Sequence, residues 1–169
     1  MSLTRVPSNK NFLSPLGFKF VLSRAPAIEY YVQSINIPSI STSVSNVPTP
    51  FVKLPFAGDH LEFGELSLSF KIDEDMKNYL EIYNWLKGIG FPDNFDQYKS
   101  LNSGDGVFSD AILVILTSSK NPNIKVQFKN LWPMTLDPVQ FDTTQTDVEY
   151  VSTTVTFKYQ SFDISTNDS

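Results

Sequence analysis

Cysteine is absent from the 169 residues, which excludes disulfide staples, thiolate metal sites and thiol nucleophiles. Histidine occurs once, at His60, leaving no His cluster to hold a metal and a single base for any catalytic triad. Charge is sparse at 18% and tilted toward acid, with 13 Lys+Arg against 18 Asp+Glu and a formal net charge of −5. Proteins that read nucleic-acid sequence need a basic face to offset phosphate charge, and this chain has too little base for one. Long apolar runs are missing too. Residues 30–52 pass 23 positions without a charge, but their Ser, Thr, Asn and Pro content would leave backbone groups unsatisfied in lipid, so no membrane association is expected. The opening MSLTRVPSNKNFLSPLGF has no apolar run of about 7–15 residues behind its basic positions, and no secretory leader is expected. Internal repeats of about 20–50 residues are also absent.

What remains is 41% hydrophobic and 14% aromatic, enough for one domain over residues 1–169 that buries roughly 70% of its unfolded surface without a staple. Residues 16–23 alternate Leu16, Phe18, Phe20 and Leu22 against polar or small neighbours, the period of a strand. Pro26 breaks that run, and Ile28 to Ile37 reads as a second strand. Residues 38–58 carry Pro38, Pro48, Pro50 and Pro55 among serines and threonines, which excludes a central strand because proline lacks a ladder donor. This stretch is expected to be a long loop or an edge hairpin. Residues 61–73 place Leu66, Leu68, Phe70 and Ile72 on one face and Glu65, Ser67, Ser69 and Lys71 on the other.

The period then shifts to three and four. Met76, Tyr79, Leu80, Tyr83 and Leu86 predict an amphipathic helix over about 74–88, with Asp73, Glu74 and Asp75 capping its start and Gly88 and Gly90 its stop. Residues 91–109 are turn-rich and read as a loop insertion. DAILVILTS at 110–118 is a continuous apolar run of strand length, expected to be buried on both faces, with a hairpin to the alternating strand from Ile124. The last element, about Val148 to Phe162, sets Val151, Val155, Phe157 and Tyr159 against Thr154, Thr156 and Lys158. Six or seven strands and one helix make an α+β fold, mainly antiparallel β.

No chemistry-bearing motif accompanies this pattern. His60 stands in AGDH without a nucleophile setting nearby, GIG and GDG lack a phosphate-cradling context, and the acidic triplet is explained by the helix start. No enzyme activity and no cofactor or metal is expected. The 14 Phe, 7 Tyr and 2 Trp fall mostly on apolar faces. A binding platform of exposed aromatics would make the chain a carbohydrate- or peptide-binding β-domain instead.

Two segments carry a resemblance. AGDHLEFGELSLSFKIDEDMKNYLEIYNWLKGI, residues 57–89, has an AGD turn, an alternating strand, an acidic helix start and a helix with Trp85 near its end. FKNLWPMTLDPVQFDTTQTDVEYVSTTVTFKYQSFDI, residues 128–164, has an LWP turn, Asp142 and a long closing strand. In order and spacing both resemble the tail tube protein family of contractile-tailed bacteriophages, which is related in fold to the type VI secretion tube protein.

The resemblance implies a two-sheet, barrel-like subunit with a flanking helix, assembling into six-fold rings that stack into a tube for DNA passage. It implies self-association, tail sheath and baseplate proteins as partners, DNA that passes without specific binding, a place in the virion, and assembly in the host cytoplasm. Glu65, Ser67, Ser69, Lys71, Thr154, Thr156 and Lys158 are then candidates for the channel wall, or for a subunit interface. In the 38–58 stretch Ser41, Val44, Val47, Pro48, Pro50 and Phe51 are candidates for contact between rings. Trp85, Trp132 and Pro133 are expected to be structural. An N-terminal arm over 1–14 and the 91–109 insertion exceed a minimal tube subunit, so a baseplate or tube-initiating component is the alternative role within the same tail.

Overall fold

The computed structural model describes residues 11–90, 96, 99, 106–144 and 150–166. Most of the 1–14 arm and of the 91–109 insertion, together with Val148, therefore lies outside the described residues. The elements with described bounds are β1 (Phe18–Leu22), β2 (Val32–Ile35), β3 (Ile40–Pro48), β4 (Lys53–Phe63), β5 (Leu66–Lys71), α1 (Lys77–Gly90), β6 (Ser109–Leu116), β7 (Pro122–Leu136), β8 (Ser152–Lys158) and β9 (Ser161–Thr166).

Seven strands make one antiparallel sheet in the order β1-β6-β7-β8-β5-β2, with β9 also on β7. The long β7 organises it. Its first half takes β6 on one side and β9 on the other, Val126 lying opposite both Leu113 and Ile164, and its second half takes β8, with Trp132 opposite Lys158. Between the halves Asn130 adopts φ 51°, a left-handed conformation that Asn tolerates better than most residues. Its backbone N–H donates to Asp110 Oδ1 at 3.1 Å. The LWP segment expected to be a turn thus lies inside β7, just past this kink.

The expected barrel does not close. The sheet runs from β1 to β2, and these ends are not hydrogen-bonded to each other among the described residues; a Lys19–Glu29 ion pair of 2.9 Å stands near them. The second sheet is the two-stranded β3–β4 hairpin. Phe20, Leu22, Leu66, Leu68, Phe70, Leu113, Val126, Phe128, Leu131, Val155 and Phe157 form the core, to which α1, packed on β7 and on a short 3-10 turn at Pro26–Ile28, adds Ile82 and Trp85.

Several local expectations are corrected. Leu16 precedes β1 and is exposed. The strand expected over 28–37 shrinks to Val32–Ile35, because Pro26 seeds a turn in which Glu29 and Tyr31 N–H donate to Pro26 and Ile28 carbonyls. The strand expected over 61–73 is two, divided at Gly64 and Glu65. The helix runs from Lys77 to Gly90, past Gly88, with Asp73, Glu74 and Asp75 ahead of it; Met76, at φ 55°, gives its carbonyl to Leu80 N–H as the first helical acceptor. Its buried face is Asn78, Ile82, Trp85 and Gly88, while Leu80 and Tyr83 face outward. β6 is buried on one face only, with Ile112 outside. The closing strand is divided at Tyr159 and Gln160 into β8 and β9, which pair with opposite halves of β7.

Candidate functional site

No group of three or more His, Asp or Glu suited to a metal exists among the described residues, and no described helix is long and apolar enough to cross a membrane. His60 is exposed on β4, with Nδ1 2.7 Å from Asp59 Oδ1. What stands out instead is three surfaces.

The first is a polar sheet face. Ser67 lies opposite Thr156 and Ser69 opposite Thr154, so the wet faces of β5 and β8 form one surface, because directly paired residues share a side of the sheet. Ser34 on β2, opposite Ser69, and Thr135 on β7, opposite Thr156, extend these rows. At one end Glu65 pairs with Lys158 Nζ at 3.1 Å; at the other, Lys71 Nζ sits 4.9 Å from the Tyr150 ring centroid. Asn36 secures the rim, accepting from Ser67 N–H at 2.6 Å and donating to Glu65 carbonyl at 3.1 Å. All seven residues singled out for a channel wall are on these two strands or, for Glu65, just before β5. The surface is a field of hydroxyls whose carboxylate is matched by an ammonium.

The second surface is the β3–β4 hairpin. Its register pairs Val47 with Leu54, Ser45 with Phe56 and Val44 with Ala57, with a bulge between Thr42 and Val44. Gly58 occupies the bulge against Ser43, so the expected AGD turn is an irregularity inside β4. The tip is closed by Thr49, whose N–H and Oγ1 both bond the Val52 carbonyl. Apart from Ser43, Gly58 and Phe63 every residue of the two strands is exposed. Phe51 at the tip is 96% exposed, and Val44, Val47, Val52, Leu54 and Phe56 are uncovered as well. A lone two-stranded hairpin is marginal in water, and an apolar patch of this kind marks an interaction surface.

The third is a mainly apolar groove of about 690 Å³ lined by Tyr31, Ile72, Met76, Val139, Phe141, Tyr150 and Val151, together with the charged Lys71, Asp73 and Glu74. Tyr31 OH donates to Asp73 Oδ1 at 3.2 Å; that bond and the carboxylate's charge hold the phenol above its ordinary pKa. Sequence reasoning missed this groove, whose walls come from four separated stretches of chain.

The residues expected to be structural occupy different settings. Trp85 is 2% exposed, donates Nε1–H to Val107 carbonyl at 2.9 Å and has Arg24 over its ring at 5.2 Å. Pro133 is buried, and Trp132 is half-buried against Phe108 at 5.6 Å. Asp142 Oδ1 accepts from Thr144 N–H and Oγ1–H at 2.8 and 2.6 Å.

The profile of the family described as phage tail tube protein matches residues 5–165. The chain belongs to that family. Three solved structures share the fold of this tail tube family member at low identity. One from the sheath-tube complex of an extracellular contractile injection system (PVC, extended state) has a TM-score of 0.61 and 11% identity over 93% of each chain. One from the anti-feeding prophage tube-terminating cap has a TM-score of 0.61 and 13% identity over 98% of this chain and 99% of that one. One from the anti-feeding prophage baseplate has 0.55 and 14% over 87% and 89%. No curated protein matches in sequence. The resemblance first drawn from residues 57–89 and 128–164 is thereby borne out at the level of family.

Proposed function

We propose that this protein is the tube subunit of a contractile phage tail, a structural and non-catalytic component of the virion assembled in the host cytoplasm. Subunits close into rings, six to a ring, and the rings stack into a channel through which DNA enters the host. Sheath and baseplate proteins are the partners outside and at the end of the tube. The observation that carries this reading is the β3–β4 arm: among the described residues nothing covers Phe51, Val52, Leu54 or Phe56, and a subunit of the next ring supplies the missing cover. The sheet edges at β1 and β2, unpaired among the described residues, are satisfied by neighbours within the ring, which removes the aggregation hazard of an open edge.

The polar face of β5 and β8 suits the channel wall. Paired Glu65 and Lys158 and rows of Ser and Thr provide hydration without a row of cations, so a polyanion gains no counterion release by stopping there. Deleting residues 44–54 tests the reading. The expected product is a folded monomer with the melting temperature of the parent that forms no tubes at any concentration; unaltered tubes from the deletion would overturn the proposal.

A further inference from the structure

We infer that the groove between Tyr31, Ile72, Met76 and Phe141 is the socket that receives the arm tip of a second copy of this chain, with Lys53 of the arm paired to Glu74 at the socket's rim. The inference rests on the reading of the arm as an inter-subunit contact and adds where it lands.

Topology places the two features at opposite ends of one strand pair. The chain leaves β2 after Ile35 to build the arm and returns from Phe63 into β5 at Leu66, and Ile35 lies opposite Leu68. At the far end of the same pair Val32 lies opposite Phe70, Lys71 N–H donates to Tyr31 carbonyl, and Ile72 N–H donates to Val151 carbonyl. Tyr31, Ile72 and Val151 are walls of the groove. Six residues of β5 separate the ends, roughly 20 Å at strand rise. A copy displaced along the strand direction brings its arm to the groove, leaving its own groove open for the next. Such a head-to-tail contact does not close on itself and generates a filament.

Chemistry agrees at both ends. From Val44 to Ala57 the arm carries a single charge, Lys53, which makes no ion pair among the described residues, and neither does Glu74. Asp73 is engaged by Tyr31 OH and Glu74 N–H, Asp75 by Lys77 at 2.8 Å, and Lys71 of the same lining sits over the Tyr150 ring, so Glu74 is the groove carboxylate left for an incoming cation. The apolar parts match as well: Phe51 and Val52 are uncovered, and at the groove's lip so are Phe141 and Tyr150, 77% and 73% exposed.

The absence of cysteine makes the test clean. Tubes of a chain carrying Val52→Cys and Phe141→Cys are oxidised mildly and run on a non-reducing gel, beside each single variant and a control pairing Val52→Cys with Ser165→Cys on β9. In parallel, Lys53→Glu, Glu74→Lys and their combination are compared by the protein concentration needed for tubes. The expected result is a ladder of covalent multimers from the 52/141 pair alone, a several-fold higher concentration threshold in each single charge variant, and return toward the parent value in the combination. Tubes that require the arm, yet give no 52/141 ladder and no charge rescue, would overturn the socket while leaving the arm's role standing. A parent chain that forms no tubes would overturn the functional reading and the socket with it.

Discussion

Gly58 shows how much of the arm rests on one hydrogen in place of a methyl group. A Cβ there would stand 2.6 Å from the Ser43 carbonyl oxygen and closer still to Ser43 Oγ, a contact the backbone of the opposite strand cannot relieve without breaking the bulge. Gly58→Ala is therefore expected to abolish tube formation while shifting the core's thermal unfolding little, because among the described residues the arm meets the core only through Phe63 at its base; electron microscopy and calorimetry on the same sample check both halves. Asn78 is the opposite kind of residue, fully buried on the inner face of α1. Its side chain accepts from Asp73 and Tyr79 N–H at 3.2 and 2.8 Å and donates to Lys71 carbonyl at 2.8 Å, tying the end of β5 to the helix start. Asn78→Ala orphans these groups and is expected to lower the unfolding free energy by about 2–3 kcal/mol in denaturant titrations. Neither role is legible in the sequence: Gly58 reads as a turn glycine, and the helical pattern does not single out Asn78.

Elements whose pattern is local were the legible ones. The two-residue period of β5 and β8 separated Leu66, Leu68, Phe70, Val155 and Phe157 from their outward neighbours, though it did not single out Thr153 on the buried face, because one face of that sheet half is buried and a one-residue slip would invert it. The helix was legible as a helix but not in phase. It has apolar residues on two sides, and Ile82 with Trp85 wins the core only because β7 and the 3-10 turn lie against that side. The hairpin's register, the kink in β7 and the four-part groove depend on residues far apart in the chain. Glu81 illustrates the helix's tie to that turn, accepting from Ala27 N–H at 3.3 Å; burial pushes its carboxyl above the usual carboxylate range, against the pull of this bond. Because the folded pKa is raised, the folded state holds the proton more tightly than the unfolded chain. That contribution is complete at low pH and is lost as pH rises through the folded pKa. Glu81→Gln keeps the acceptor and removes the titration, so it is expected to flatten the melting-temperature profile as pH rises above the ordinary glutamate range and to be no less stable than the parent at neutral pH.

At the scale of the whole molecule, the described residues make an unfinished object: a well-packed core, sheet edges open at β1, β2 and β9, an apolar arm at one end and an apolar groove at the other. The resemblance of residues 57–89 and 128–164 to the tail tube family foreshadowed assembly, while composition alone left a carbohydrate- or peptide-binding domain open. Composition did not show which surfaces assemble, because exposure is a property of the fold. The central claim is that these surfaces are completed by further copies of the same chain. Negative-stain electron microscopy of the purified protein over a concentration series tests it most directly. Hollow tubes of uniform width whose length grows with concentration are expected. Isolated rings at every concentration would assign the chain to a baseplate or initiating position, and monomers at every concentration would contradict the account.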